Sequence, residues 1–171
     1  ERGAGPANAI VAAARDLARL ESFPLDRIHK LLGRTTLVPT TIRAGVARNT
    51  TPPECVCSLD VRTTPAYSHA ELAARLRAFL AAEVELVSDR RIPMETPQGS
   101  ALLAALRRVD PALDPVGSPT SSDWVWLGAL DALKLGPGDS RLSHGPDERI
   151  ALEEVERAAA LLARLAREYL A

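Results

Sequence analysis

The chain has 171 residues, 46% of them hydrophobic and 25% charged, which suits a globular protein of one domain or two small ones. Its formal net charge of -1 argues against a general nucleic-acid binder or a protein drawn to acidic membranes. No apolar run approaches the roughly 20 residues of a membrane-spanning helix, and no signal-peptide pattern is present, so a cytoplasmic location is expected.

Pro6 stands where a helix would begin. Residues 7–20 carry Ile10, Ala14 and Leu17 on one face and Arg15, Asp16 and Arg19 outside it. Pro24 and Gly33 punctuate a loop that holds His29, a lone histidine expected to be solvated surface. Residues 35–42 and 54–62 read as strands rich in Val, Ile, Thr and Cys. The connection between them is longer than a tight hairpin needs and carries Asn49. Alternation puts Cys55, Cys57, Leu59 and Val61 on one face of the second strand and Val56, Ser58, Asp60 and Arg62 on the other. Two cysteines this close on one strand suit neither a structural disulfide nor a metal site, so both are expected to be buried small hydrophobes. Asp60 and Arg62 read first as a structural ion pair.

Ser68-His69-Ala70-Glu71 is a capping box that announces a helix to about Ala82, with Leu72, Leu76, Phe79 and Leu80 buried and His69 exposed in the first turn. Residues 83–88 read as a third strand. The order is then helix, strand, strand, helix, strand. One more strand ahead of Glu1 would complete a split β-α-β arrangement of the ferredoxin-like kind.

Pro93 and Pro97 bracket a link, after which the pattern changes. Residues 100–109 form a short helix, and 111–119 a proline-rich approach to Thr120-Ser121-Ser122-Asp123, a turn and helix cap. A short strand at 132–135 runs into Gly136-Pro137-Gly138-Asp139. His144 follows in a loop, and an acidic pair opens a helix over 148–171. That helix carries Leu152, Val155, Ala159, Leu162 and Tyr169 on one side, a stripe expected to be core. So little sheet cannot cover three helices, so residues 95–171 are expected to close a larger α/β domain whose earlier strands lie upstream of residue 1. Residues 1–94 form the small domain inserted in it.

The order of features resembles the zinc-dependent amidohydrolase and peptidase family of acetylornithine deacetylase, succinyl-diaminopimelate desuccinylase, aminoacylase and glutamate carboxypeptidase. Gly136-Pro137-Gly138-Asp139 followed by His144-Gly145-Pro146-Asp147-Glu148 is similar to its last metal-ligand motif. Asp60-Val61-Arg62-Thr63-Thr64-Pro65 is similar to a strand of its lid domain, and Gly5-Pro6-Ala7-Asn8-Ala9-Ile10 to the start of its lid helix. Arg149 departs from the aromatic often found after the Asp-Glu pair.

The resemblance implies a ferredoxin-like lid and dimerisation domain followed by the closing strand-helix part of an α/β zinc-peptidase domain. It implies two zinc ions (cobalt as an alternative), a homodimer through the lid, and hydrolysis of small N-acyl amino acids of the acetylornithine type. No nucleic-acid or membrane partner is implied. His144 would be a terminal zinc ligand, and Asn49 would reach the substrate from a neighbouring subunit. Arg62 would hold the substrate carboxylate, a role that stands beside its ion pair with Asp60. Ser121, Ser122, Gly136 and Pro137 would line the pocket. The general base and the other ligands are expected upstream, which leaves no catalytic residue here and an inactive fragment. A non-catalytic dimerisation module or pseudoenzyme subunit is the alternative, and a Cys55–Cys57 thiol or metal protein ranks last.

Overall fold

The computed structural model describes residues 7–118, 120–128, 130–139, 142–143 and 145–171. The chain divides into two compact units, Glu1–Pro93 and Met94–Ala171.

In the first unit, helix α1 (Ala9–Leu20) starts later than Pro6 suggests, because Asn8 is the residue that caps it. The Asn8 side chain accepts from the Ile10 and Val11 amides at 3.0 and 3.3 Å. The helix also turns a different face inward than its apolar pattern implies. Ile10 is 42% exposed, and Asp16, expected outside, is only 7% exposed. Its carboxylate accepts from the Ala81 and Ala82 amides at 3.2 and 2.7 Å. Those two bonds compensate the burial of a charge.

Strands β1 (Ile28–His29) and β2 (Gly33–Arg34) pair antiparallel across a short turn. His29 organises that turn rather than facing solvent from a loop, since its Nδ1 accepts from the Leu31 and Leu32 amides at 3.3 and 3.1 Å. Strands β3 (Thr36–Ala44) and β4 (Cys55–Arg62) form the larger antiparallel pair, in register from Thr36↔Arg62 to Ala44↔Cys55. The register slips between Pro39 and Thr41. Pro39 has no amide to give the ladder, and Thr40 bulges, its hydroxyl donating to the Ser58 carbonyl at 3.3 Å.

Along β4 the expected alternation holds, with Cys55, Cys57, Leu59 and Val61 on the covered face and Val56, Ser58, Asp60 and Arg62 exposed. The cysteines are free and half-buried rather than buried. Burial pushes the Cys57 thiol above its usual value, and Cys55 beside it adds to the effect.

Helix α2 (His69–Phe79) is capped as its sequence announces, by Ser68 accepting from the Glu71 amide at 3.1 Å. It stops short of Ala82 because the next amides, of Ala81 and Ala82, go to Asp16. His69 is half-buried, not exposed, with Nδ1 3.1 Å from the Asp89 carbonyl and Nε2 2.9 Å from the Thr63 hydroxyl. A carbonyl only accepts, so Nδ1 carries a proton and, in the neutral ring, Nε2 accepts from Thr63.

The strand expected over residues 83–88 is not formed. Arg77 donates to the Val84 carbonyl at 3.1 Å, and His69 to that of Asp89 just past the stretch. Each sheet among the described residues has two strands, and those residues form a mixed helix-and-sheet structure that does not by itself complete a ferredoxin-like ladder.

The core of this unit gathers Phe23, Tyr67, Leu72 and Leu76, with Leu20, Leu37, Val61, Phe79 and Leu80 against them. Tyr67 is 2% exposed, and its hydroxyl donates to Asp26 at 2.7 Å and accepts from the Arg27 amide at 2.9 Å. That hydroxyl is the main reason the Asp26 carboxyl lies below its usual 3.8.

In the second unit, α3 (Ala101–Val109) is capped by Ser100, which accepts from the Leu103 amide at 2.8 Å. A 3-10 turn, Asp123–Trp126, replaces the helix expected there, and the Ser122 hydroxyl makes no cap bond to it. Helix α4 (Leu152–Leu170) begins after the Asp147 and Glu148 pair rather than at it. Its covered side is Ala158, Leu161 and Leu165, which pack with α3 through Ala105 and Leu106. The stripe expected to be core is the open one: Leu152 is 69% and Leu162 47% exposed. Residues 132–135 form no strand, but Leu133 and Leu135 pack on the same cluster. Among the described residues no helix is long and apolar enough to cross a membrane.

Asp16→Ala strands two amides at the end of α2, a loss of about 1–3 kcal/mol. Urea unfolding should show a lower midpoint, and an unchanged midpoint would contradict this closure of the first unit.

Candidate functional site

Gly136 and Pro137 are exposed at the head of the loop that ends in the Asp147 and Glu148 pair. Gly138 has φ of 85°, which favours glycine, and a side chain there would sit 3.3 Å from the tip of Ile150, which would have to give by a few tenths of an ångström. Successive turns follow, with the Leu142 amide on the Asp139 carbonyl at 3.0 Å, Gly145 on Leu142 at 3.2 Å and Glu148 on Gly145 at 3.2 Å. His144, the expected metal ligand, lies outside the described residues. Among those that are described, no three His, Cys, Asp or Glu side chains converge as a metal site requires.

The other expected pocket residues of this unit, Ser121 and Ser122, enter the 3-10 turn, whose Val125 amide donates to the Ser122 carbonyl at 3.3 Å. Lys134 binds this stretch to the one that precedes Gly136. Its ammonium donates to the Ser118 and Thr120 hydroxyls at 3.0 and 2.9 Å. Sequence reasoning passed over Lys134. The available signal was a single charge inside the apolar run of residues 132–135, where alternation turns it away from the core.

On the other side of the run, Asp131 holds the start of α3, its Oδ2 accepting from the Leu102 amide at 3.0 Å. Among the described residues, Oδ1 is buried without a hydrogen-bond partner. The neighbouring Ser100 hydroxyl, and after it the Leu102 amide, keep this carboxyl below its usual 3.8.

In the first unit, Arg62 is 78% exposed at its side chain, and its Nε donates to Asp60 Oδ2 at 3.1 Å. Asn49 is exposed in the connection between β3 and β4. The register places Arg62 at the opposite end of the ladder from that connection. Seven residues of strand separate Arg62 from Cys55, roughly 23 Å at about 3.3 Å per residue. Arg62 thus stands a strand's length from the end of the hairpin at which the Asn49 connection begins.

Residues 3–86 match the peptidase dimerisation domain family. A protein of Pyrobaculum aerophilum assigned as a LysW-lysine/LysW-ornithine hydrolase is 36% identical over 74% of this chain and 38% of its own length. A succinyl-diaminopimelate desuccinylase of Cereibacter sphaeroides is 30% identical over 96% of this chain and 47% of its own. The LysW-lysine/LysW-ornithine hydrolase of Sulfurisphaera tokodaii is 27% identical over 70% of this chain and 36% of its own. The chain thus spans less than half the length of these relatives.

The lowered Asp131 carboxyl fixes the sign of a pH effect. Its contribution is present above the unfolded value near 3.8 and is lost as the pH falls through the lower folded value. Thermal midpoints measured from pH 6 down to pH 2 should fall less steeply for Asp131→Asn than for the unaltered chain. Parallel curves would rule out this link between α3 and residues 131–135.

Proposed function

The chain belongs to the amidohydrolase and peptidase family that carries this dimerisation domain, and we propose that in a complete enzyme it serves the hydrolysis of an N-acyl amino acid. The observation that carries this reading is the likeness to a desuccinylase over 96% of the chain, which runs through both units. The relatives' names point to lysine, ornithine and diaminopimelate. Those amino acids and acetylornithine share a skeleton with two amino groups. We therefore place the substrate among acylated diamino acids, acetyl-, succinyl- or LysW-linked, without singling out the acetylornithine branch.

Within that reading the first unit is the dimerisation domain of a homodimer. Its exposed Val38, Ile42 and Val56 on the hairpin, with Ile10 and Val11 on α1, supply apolar surface suited to a second copy. Because Asn49 and Arg62 lie at opposite ends of the ladder, they would serve the two sites of such a dimer separately. Arg62 suits a substrate carboxylate: the bond to Asp60 uses Nε and leaves the pair of terminal nitrogens for a two-pronged contact. Ser121, Ser122, Gly136 and Pro137 would line the pocket from the second unit, the closing segment of a larger α/β domain. The open apolar stripe of α4 supports that assignment, since a helix of such a domain has sheet to cover.

The described residues do not by themselves fit a metal centre. We propose that His144 adds one imidazole ligand to a zinc ion whose other ligands lie elsewhere in the complete enzyme. In the complete protein, His144→Ala should lower zinc content measured by elemental analysis, and an unchanged stoichiometry would refute the assignment. The 171-residue chain alone is expected to leave N-acetylornithine and N-succinyl-diaminopimelate intact, while the complete protein cleaves at least one. Chelator-sensitive hydrolysis by the chain alone, followed by release of the free amine, would overturn this division of labour.

A further inference from the structure

We infer that Lys134 is a positioning residue that holds the two pocket-lining stretches of the second unit at a fixed separation, an inference that rests on the hydrolase reading above. Among the described residues neither stretch belongs to a strand ladder, and the Ser122 hydroxyl makes no cap bond, so regular structure there does not set their spacing. The Lys134 ammonium does. It donates to Ser118 at 3.0 Å and Thr120 at 2.9 Å, and those two hydroxyls bond each other at 2.8 Å. Thr120 immediately precedes Ser121, and Lys134 stands two residues before Gly136.

The lysine itself is anchored. Leu133 and Leu135 on either side of it pack into the cluster of α3 and α4, and Asp131 fastens the same run to the first turn of α3. A backbone held on its core side thus extends a charged side chain outward to the opposite stretch. Charge-assisted bonds are the stronger kind, and two on one nitrogen restrict both hydroxyls at once. The side chain touches neither substrate nor reacting atoms in this account; it acts through Ser121, Ser122, Gly136 and Pro137.

The complete protein with Lys134→Met should lose roughly tenfold to a hundredfold in kcat/KM towards the acylated diamino acid it cleaves, mainly through KM. Lys134→Arg, which keeps the charge and can reach both hydroxyls, should recover most of the loss. Thr120→Val should raise KM in the unaltered protein and add little in the Lys134→Met background. Amide hydrogen exchange provides a readout that does not need activity: residues 120–123 and 135–139 should exchange faster together in Lys134→Met.

Unchanged exchange there overturns the inference even if the complete protein cleaves no acylated amino acid, a result that would separately remove the hydrolase reading. An active Lys134→Met protein with unaltered KM overturns it while leaving that reading in place. A lower melting temperature with exchange raised uniformly across the second unit also counts against it, because that is the signature of general destabilisation.

Discussion

The first unit closes around one carboxylate. Asp16 takes the two amides that follow α2, and in doing so it ends that helix, ties α1 to the segment after it and fixes which side of α1 faces inward. A buried charge is costly unless every direction of approach is used. Here the donors are backbone groups that lose their helical partners at the same point, so each requirement meets the other. The Tyr67 hydroxyl plays a related part between Asp26 and the Arg27 amide, at the far end of the same core.

Local signals were legible where the residues settle the matter among themselves. The Ser68 cap, the alternation of β4 and the Leu72 and Leu76 part of the α2 stripe depend on neighbours in sequence and appear as read, while Phe79 and Leu80 are only half-buried. The readings that failed depend on partners distant in the chain. Asp16 looked like a surface residue because its donors lie 65 and 66 residues away. The apolar stripe of α4 looked like core because periodicity reports a helix face but not what covers it; α3 took the face of Leu161 and Leu165 instead. Residues 83–88 have strand composition, but a strand exists only where another offers its edge.

The candidate site shows the same division. The glycine at 138 was identifiable from the Gly-Pro-Gly motif, and its positive φ and its approach to Ile150 give the physical reason. The hairpin register sets Arg62 at the far end of the ladder from the connection that carries Asn49, a separation that matters for how the two could serve a substrate. Lys134 was hidden for a simpler reason. A lysine in a short apolar run carries no motif, and its meaning comes only from two hydroxyls fourteen and sixteen residues away.

Helix α4 has apolar residues on two sides, and α3 covers one of them. Any surface that covers the other only when the helix is folded would stabilise it. A molecule that binds only the folded helix adds to its stability in the way any ligand does, in proportion to the logarithm of its concentration over its dissociation constant. The stability of this unit is thus not a fixed property of its own contacts. It would rise with any surface that covers the open side of the folded helix.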